Sequence, residues 1–187
     1  PRDRSHPDTM ATVTNLAHVL YEQGDLAGAE RLFRRTLAGR NAKLGRDHPH
    51  TLDSVSNLAV VLNKQGDLAE AERLYRRALT GSEARLGPDH PSTLISVTNL
   101  ALLLQNQGKL DEVEPLCRRA LAGRELRLGK GHPDTLASIT KLATVLTALG
   151  KNEEEVALTQ RALEAARLSA TVAVGDAAVA AALQGAA

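Results

Sequence analysis

The stretch His48-Pro49-His50-Thr51 is one of four copies of His-Pro-x-Thr, beside His6-Pro7-Asp8-Thr9, His90-Pro91-Ser92-Thr93 and His132-Pro133-Asp134-Thr135. The copies start at residues 6, 48, 90 and 132, so the period is 42 residues with no insertion or deletion. A fixed period of about 20–50 residues marks an array of stacked supersecondary units. The chain is therefore read first as a repeat protein, and any motif that recurs four times is read first as structural.

Working outward from Thr51, residues Leu52, Val55, Leu58, Ala59 and Leu62 fall at the 3-4 spacing of an amphipathic helix. Gln65-Gly66 ends it, because glycine readily supplies the left-handed residue of a helix C-terminus. Asp67-Leu68-Ala69-Glu70 has capping-box spacing and opens a second helix, whose stripe is Leu68, Ala71, Leu74, Tyr75, Ala78 and Leu79 and which ends near Leu86-Gly87. Pro49 suits the first turn of the leading helix, where a missing N–H costs nothing. Each repeat is thus a helical hairpin, helix A followed by helix B. The other repeats predict helices over 9–23, 25–44, 93–107, 111–128, 135–149 and 152–168, with Pro115 near the start of its helix. The repeats span about 6–47, 48–89, 90–131 and 132–168, and 1–168 reads as one solenoid.

The fourth repeat has drifted. Glu155 and Thr159 stand where the second has Ala71 and Tyr75, so its helix B should pack less well. Residues 169–187 are Ala-rich, and Asp176 lies where a decayed fifth helix A would begin, leaving room for a partial capping repeat.

Composition excludes several classes. Lys and Arg number 23 against 22 Asp and Glu, without the basic excess of a nucleic-acid binder. No apolar run approaches a bilayer span, so no membrane partner is expected. Cys117 is the single cysteine: no intramolecular disulfide can form, and a reducing, cytoplasmic setting fits. It replaces Phe33 and Tyr75 in the period and reads as a small buried hydrophobe. The opening Pro1-Arg2-Asp3-Arg4-Ser5-His6 resembles the end of the linker before each later repeat, as in a piece of a longer array.

The four histidines invite a metal reading, but packed helices lie about 10 Å apart. Zinc needs its ligands at about 2 Å around one point, so each His-Pro reads instead as the end of a linker and the start of helix A. No nucleophile stands beside a base, and no Gly-rich loop follows a strand, so neither an enzyme nor a cofactor is expected. Arg34-Arg35, Arg76-Arg77, Arg118-Arg119 and Arg161 recur on helix B, with Glu30, Glu72 and Glu114 four residues before the first Arg of each pair. That is the favourable order for helical ion pairs and predicts a solvated, charge-balanced face, with an anionic partner as the competing reading.

Asn57-Leu58-Ala59, Leu62, Gly66, Ala71, Tyr75 and Ala78 together resemble a tetratricopeptide repeat. So do Leu16, Ala17, Leu20, Gly24, Ala29, Phe33 and Leu37, and Leu100, Ala101, Leu104, Gly108, Cys117 and Ala120. The 42-residue length, against about 34 for the common form, and Leu-Gly-x-x-His-Pro-x-Thr with Asn-Leu-Ala resemble the kinesin light chain type. The resemblance implies an all-α, right-handed α-solenoid of four helix-turn-helix repeats, with helix A lining a concave face that binds an extended peptide or a partner protein.

On that face the resemblance places Asn15, Asn57, Asn99 and then Lys141, each just before the core Leu of helix A. An asparagine row can hold a peptide backbone with donors and acceptors together. It can equally tie neighbouring helices together, and the sequence leaves both open. Near it, residues vary between repeats: His18, Val60, Leu102; Tyr21, Asn63, Gln105; Lys64, Asn106. Specificity would be encoded there. The expectation is a non-enzymatic interaction scaffold for a ligand with apolar anchors and some acidic character, competing with a spacer or self-assembly element that stacks through exposed ends.

Overall fold

The computed structural model describes residues 7–184, and the side-chain surroundings of residues 10–168. Among the described residues there are eight helices and no strand. They are α1 (Pro7–Glu22), α2 (Leu26–Leu44), α3 (Pro49–Gln65), α4 (Leu68–Leu86), α5 (Pro91–Asn106), α6 (Leu110–Leu128), α7 (Pro133–Ala148) and α8 (Asn152–Gln184). Odd-numbered helices are the A helices and even-numbered ones the B helices, giving the all-α hairpin array that the period predicts. The chain divides after Lys109 into two compact units. In the first, α1 packs on α2, α2 on α3, α3 on α4 and α4 on α5; in the second, α6 packs on α7 and α7 on α8. The division falls in the turn of the third repeat, which the periodicity leaves unmarked.

The His-Pro-x-Thr stretch is a helix start to which each conserved position of the motif contributes separately. His48, His90 and His132 are extended N-cap residues, and the Nδ1 of each accepts the backbone N–H two residues on at 3.2 Å. Proline follows as the first helical residue, so helix A starts two residues earlier than the sequence stripe suggests. The threonine is buried, and its hydroxyl donates back to the carbonyl of the glycine that ended the preceding helix: Thr51 to Gly45 at 2.9 Å, Thr93 to Gly87 at 2.8 Å. Thr135 is buried as well, yet its hydroxyl has no partner among the described residues. His6 lies outside the described residues.

The turn from A to B uses a left-handed glycine. Gly66 has φ +91°, and the Asp67 amide donates back to the Leu62 carbonyl at 2.9 Å. The equivalent bonds are Asp25 to Leu20, Lys109 to Leu104 and Lys151 to Leu146. Asp67 caps α4 by accepting the Glu70 amide at 3.2 Å, which is half of the expected capping box. Glu70 does not complete it, because its carboxylate is turned to Arg34 and Arg73 instead.

Within each repeat the core uses one pattern of small and large residues. Ala17, Ala59, Ala101 and Ala143 are buried in the four A helices, as are Leu58, Leu100 and Leu142. Leu16, their counterpart in α1, is half exposed. Phe33, Tyr75 and Cys117 fill one repeated site on the B helices, and burial pushes the Cys117 thiol up from its ordinary pKa, as a small apolar filler requires. Helix contact is close where Gly81 of α4 faces Leu52 of α3: a Cβ there would lie 2.6 Å from Leu52 Cδ2.

The fourth repeat loosens as its sequence predicts. Glu155 and Thr159 are half exposed, and Val156, Leu163 and Leu168 are exposed. Helix α8 does not stop near Leu168. Its backbone continues through 175–176 to Gln184, with no turn at the point expected for a fifth helix A.

Candidate functional site

The residues expected to line the A-helix surface lie on the helices proposed for them, and none is buried. Asn15, His18, Lys64, Leu102 and Asn106 are exposed; Tyr21, Asn57, Val60, Asn63, Asn99, Gln105 and Lys141 are half-buried. Helical spacing aligns Asn57, Val60 and Lys64 on α3, and Ile95, Asn99, Leu102 and Asn106 on α5. On α5 the two apolar members stay open, Ile95 at 56% and Leu102 at 43% exposure.

The three asparagines fall in the first unit and Lys141 in the second. None of the Asn15, Asn57 and Asn99 side chains hydrogen-bonds another described residue. Of the two readings that the sequence leaves open, tying helices together has no bond to support it there. Two of the varied positions are partly committed to the fold. His18 meets the buried Phe33 edge-on, with ring centroids 5.0 Å apart. Tyr21 lies close enough to Tyr75 to add to the burial that pushes the Tyr75 phenol up to about 12. In the fourth repeat, Thr144 and Thr147 donate their hydroxyls to their own helix at 3.0 Å each.

The B helices carry the charges as a ladder. The expected pairs form: Arg34 with Glu30 at 2.7 Å, Arg76 with Glu72 at 2.8 Å, Arg118 with Glu114 at 2.8 Å. The sequence does not reveal that the same glutamates also reach the next turn in the array. Glu30 accepts from Gln65 at 3.0 Å, Glu72 from Lys109 at 2.8 Å and Glu114 from Lys151 at 2.7 Å. Arg34 bridges to Glu70, Arg118 to Glu154, and Arg161 to Glu125 at 2.8 Å. Hydrogen bonds from these cations, Lys109 first, hold Glu72 down at about 2. Spacings of 36 and 37 residues are one period less about a helical turn and a half, a signal that the i, i+4 pattern conceals.

The sequence matches the model of the tetratricopeptide repeat over residues 8–84, 51–104 and 92–167. The chain belongs to the tetratricopeptide repeat family. Among solved structures, TPR-like repeats of a kinesin-light-chain-like protein from Podosopora anserina are similar at 28% identity and a TM-score of 0.74, covering 87% of this chain and 77% of that one. A variant form of those repeats is similar at 26% identity and 0.78, covering 91% and 80%. BtubC (BKLC) from P. vanneervenii shares the fold at 22% identity and 0.79, covering 91% and 68%. No curated protein matches the sequence.

TPR arrays are in general non-catalytic scaffolds for other proteins. Among the described residues no group of three His, Cys, Asp or Glu side chains could hold a metal ion, and no helix is long and apolar enough to cross a membrane. The described histidines of the repeat motif are occupied as helix caps, one to each linker.

Proposed function

We propose that this chain is a protein-interaction scaffold that holds an extended peptide along the A-helix stripe of its first unit, on α3 and α5. The observation that carries the reading is on α5: Ile95 and Leu102 are open apolar side chains that flank Asn99, whose amide makes no hydrogen bond within the described residues. Exposed hydrophobes offer burial to apolar side chains of a ligand, and the free amides of Asn57 and Asn99 offer donors and acceptors to its backbone. Lys64 adds positive charge at the end of the α3 stripe, which favours an acidic residue in the ligand. Rigid helices present these groups already ordered, which lowers the entropy cost of binding.

Selection of binders from a displayed library of random peptides, followed by titration against Asn57→Ala/Asn99→Ala, tests this. Selected peptides should share apolar anchors with an acidic residue and lose roughly tenfold or more in affinity for the double variant. Peptides that bind both proteins equally would remove the asparagine row from the site.

A second reading, self-association, is favoured by Leu16 and Val19 of α1, each 50% exposed. A mass that rises with concentration, and stays constant in a Leu16→Gln/Val19→Gln variant, would support it.

A further inference from the structure

The repeat ladder of the B helices has one broken rung, and a depression lies over it. In the second unit Arg161 pairs with Glu125 at 2.8 Å. One and two periods earlier in the chain, Glu83 and Asn41 occupy the position of Glu125, so the first copy of the rung has asparagine in place of a carboxylate. Arg77, two periods before Arg161, therefore donates to the neutral Asn41 Oδ1 at 3.3 Å, and from the same nitrogen to the Arg46 carbonyl at 3.1 Å. Its Nε is buried and has no acceptor among the described residues.

Above this guanidinium opens a depression of about 420 Å³, lined by Arg46, Asp47, Arg76, Arg77, Thr80, Gly81 and Ala84. Arg76 is neutralised by Glu72. The Arg46 guanidinium has no hydrogen bond or ion pair with another described residue, and Asp47 is the one acid in the lining. Burial, and then the nearby charge of Arg46, lower the Arg77 pKa, so positive charge is crowded there.

We propose that this depression, between the α2–α3 linker and α4, binds a phosphoryl group, held by Arg77 and Arg46 and supplying the negative charge that Glu125 gives Arg161 and Asn41 does not give Arg77. Guanidinium forks match the oxygens of a phosphate, and two arginines against one aspartate favour a dianion over a single carboxylate. The depression is wide enough for the phosphate to arrive on a carrier as a monoester. This site is on the B-helix side and does not depend on the A-helix stripe.

The test is a thermal titration at constant ionic strength with inorganic phosphate and, separately, O-phosphoserine, using chloride as the balancing anion. The wild type should show a saturable rise in Tm. Arg46→Ala should shift the midpoint to roughly tenfold higher ligand. Asn41→Glu supplies the missing carboxylate from within; it should fold at least as stably as the wild type and show no saturable rise. Asn57→Ala/Asn99→Ala should respond as the wild type does, which separates this site from the peptide stripe. A tighter response to O-phosphoserine points to a monoester ligand, and an equal one to the free ion. No saturable response in the wild type, or equal responses in wild type, Arg46→Ala and Asn41→Glu, would overturn the proposal.

Discussion

Lys109 Nζ lies 2.8 Å from Glu72 Oε2, so the turn after helix A of the third repeat is tied to helix B of the second. Glu72 also accepts from Arg76 of its own helix, and one carboxylate thereby joins two repeats. An isolated surface pair is worth little, but a shared, mostly covered carboxylate in a network is worth more.

The pH dependence follows from Glu72, whose pKa falls from 4.5 to about 2 in the fold. A carboxylate whose folded value is depressed stabilises the fold above its unfolded value, and that contribution fades as pH falls through the folded value. The stability gap between wild type and Glu72→Gln should therefore be constant above about pH 5.5, shrink below about 4.5 and close near 2. Urea melts of both proteins across that range check it. A gap unchanged down to about pH 3 would mean that packing, not charge, carries the effect.

Thr93 and Thr135 occupy one repeat position with opposite bonding. Thr93 donates to the Gly87 carbonyl at 2.8 Å, whereas the buried Thr135 hydroxyl has no described partner. Thr93→Val should cost about 1 kcal/mol through the lost hydrogen bond, and Thr135→Val should be neutral or stabilising, because it removes an unpaired buried hydroxyl. Chemical denaturation of the two single variants measures the contrast directly.

Gly81 and Gly39 are one period apart, and each faces a side chain of the preceding A helix. A Cβ on Gly81 meets Leu52 Cδ2 at 2.6 Å and Cδ1 at 2.9 Å; one on Gly39 meets Met10 Sδ at 2.8 Å. Glycine to alanine inside a helix ordinarily stabilises by about 1 kcal/mol. At Gly81 the buried, branched Leu52 has little room to yield, so Gly81→Ala should destabilise by about 1–2 kcal/mol. Unbranched Met10 can turn aside, and Gly39→Ala should cost less. Equal melting temperatures for the two variants would contradict this.

The hairpin array is legible in the sequence because its causes are local and periodic. A 3-4 stripe, a glycine at the turn and an aspartate after it specify each helix without reference to anything distant. The period also places the His-Pro helix start but hides its chemistry, since histidine is an uncommon N-cap and the threonine bond to Gly45 or Gly87 joins residues six apart across a linker. The ends of charged side chains are less legible still. Glu70 looks like a capping-box partner in sequence and is taken instead by Arg34 of α2, thirty-six residues away, and by Arg73 of its own helix. The drift of the fourth repeat is visible at Glu155 and Thr159, whereas the continuation of α8 is not. Gly175-Asp176 carries the marks of a turn, yet an Ala-rich flank favours helix strongly enough to run through them.

Asn99 provides the means to separate a binding role from a structural one. If its amide held helices together, removing it would cost the fold a hydrogen bond. It makes none with the described residues, and alanine is the better helix former, so Asn99→Ala should leave stability within about 0.5 kcal/mol of the wild type. Its neighbour Leu100 is 2% exposed and fills the core, so Leu100→Ala should cost about 2–5 kcal/mol. Denaturant unfolding of both variants, read beside peptide titration, makes the comparison. Asn99→Ala should keep its midpoint and lose peptide affinity. A drop in its midpoint approaching that of Leu100→Ala would assign the asparagine to the scaffold and leave peptide recognition to Ile95 and Leu102.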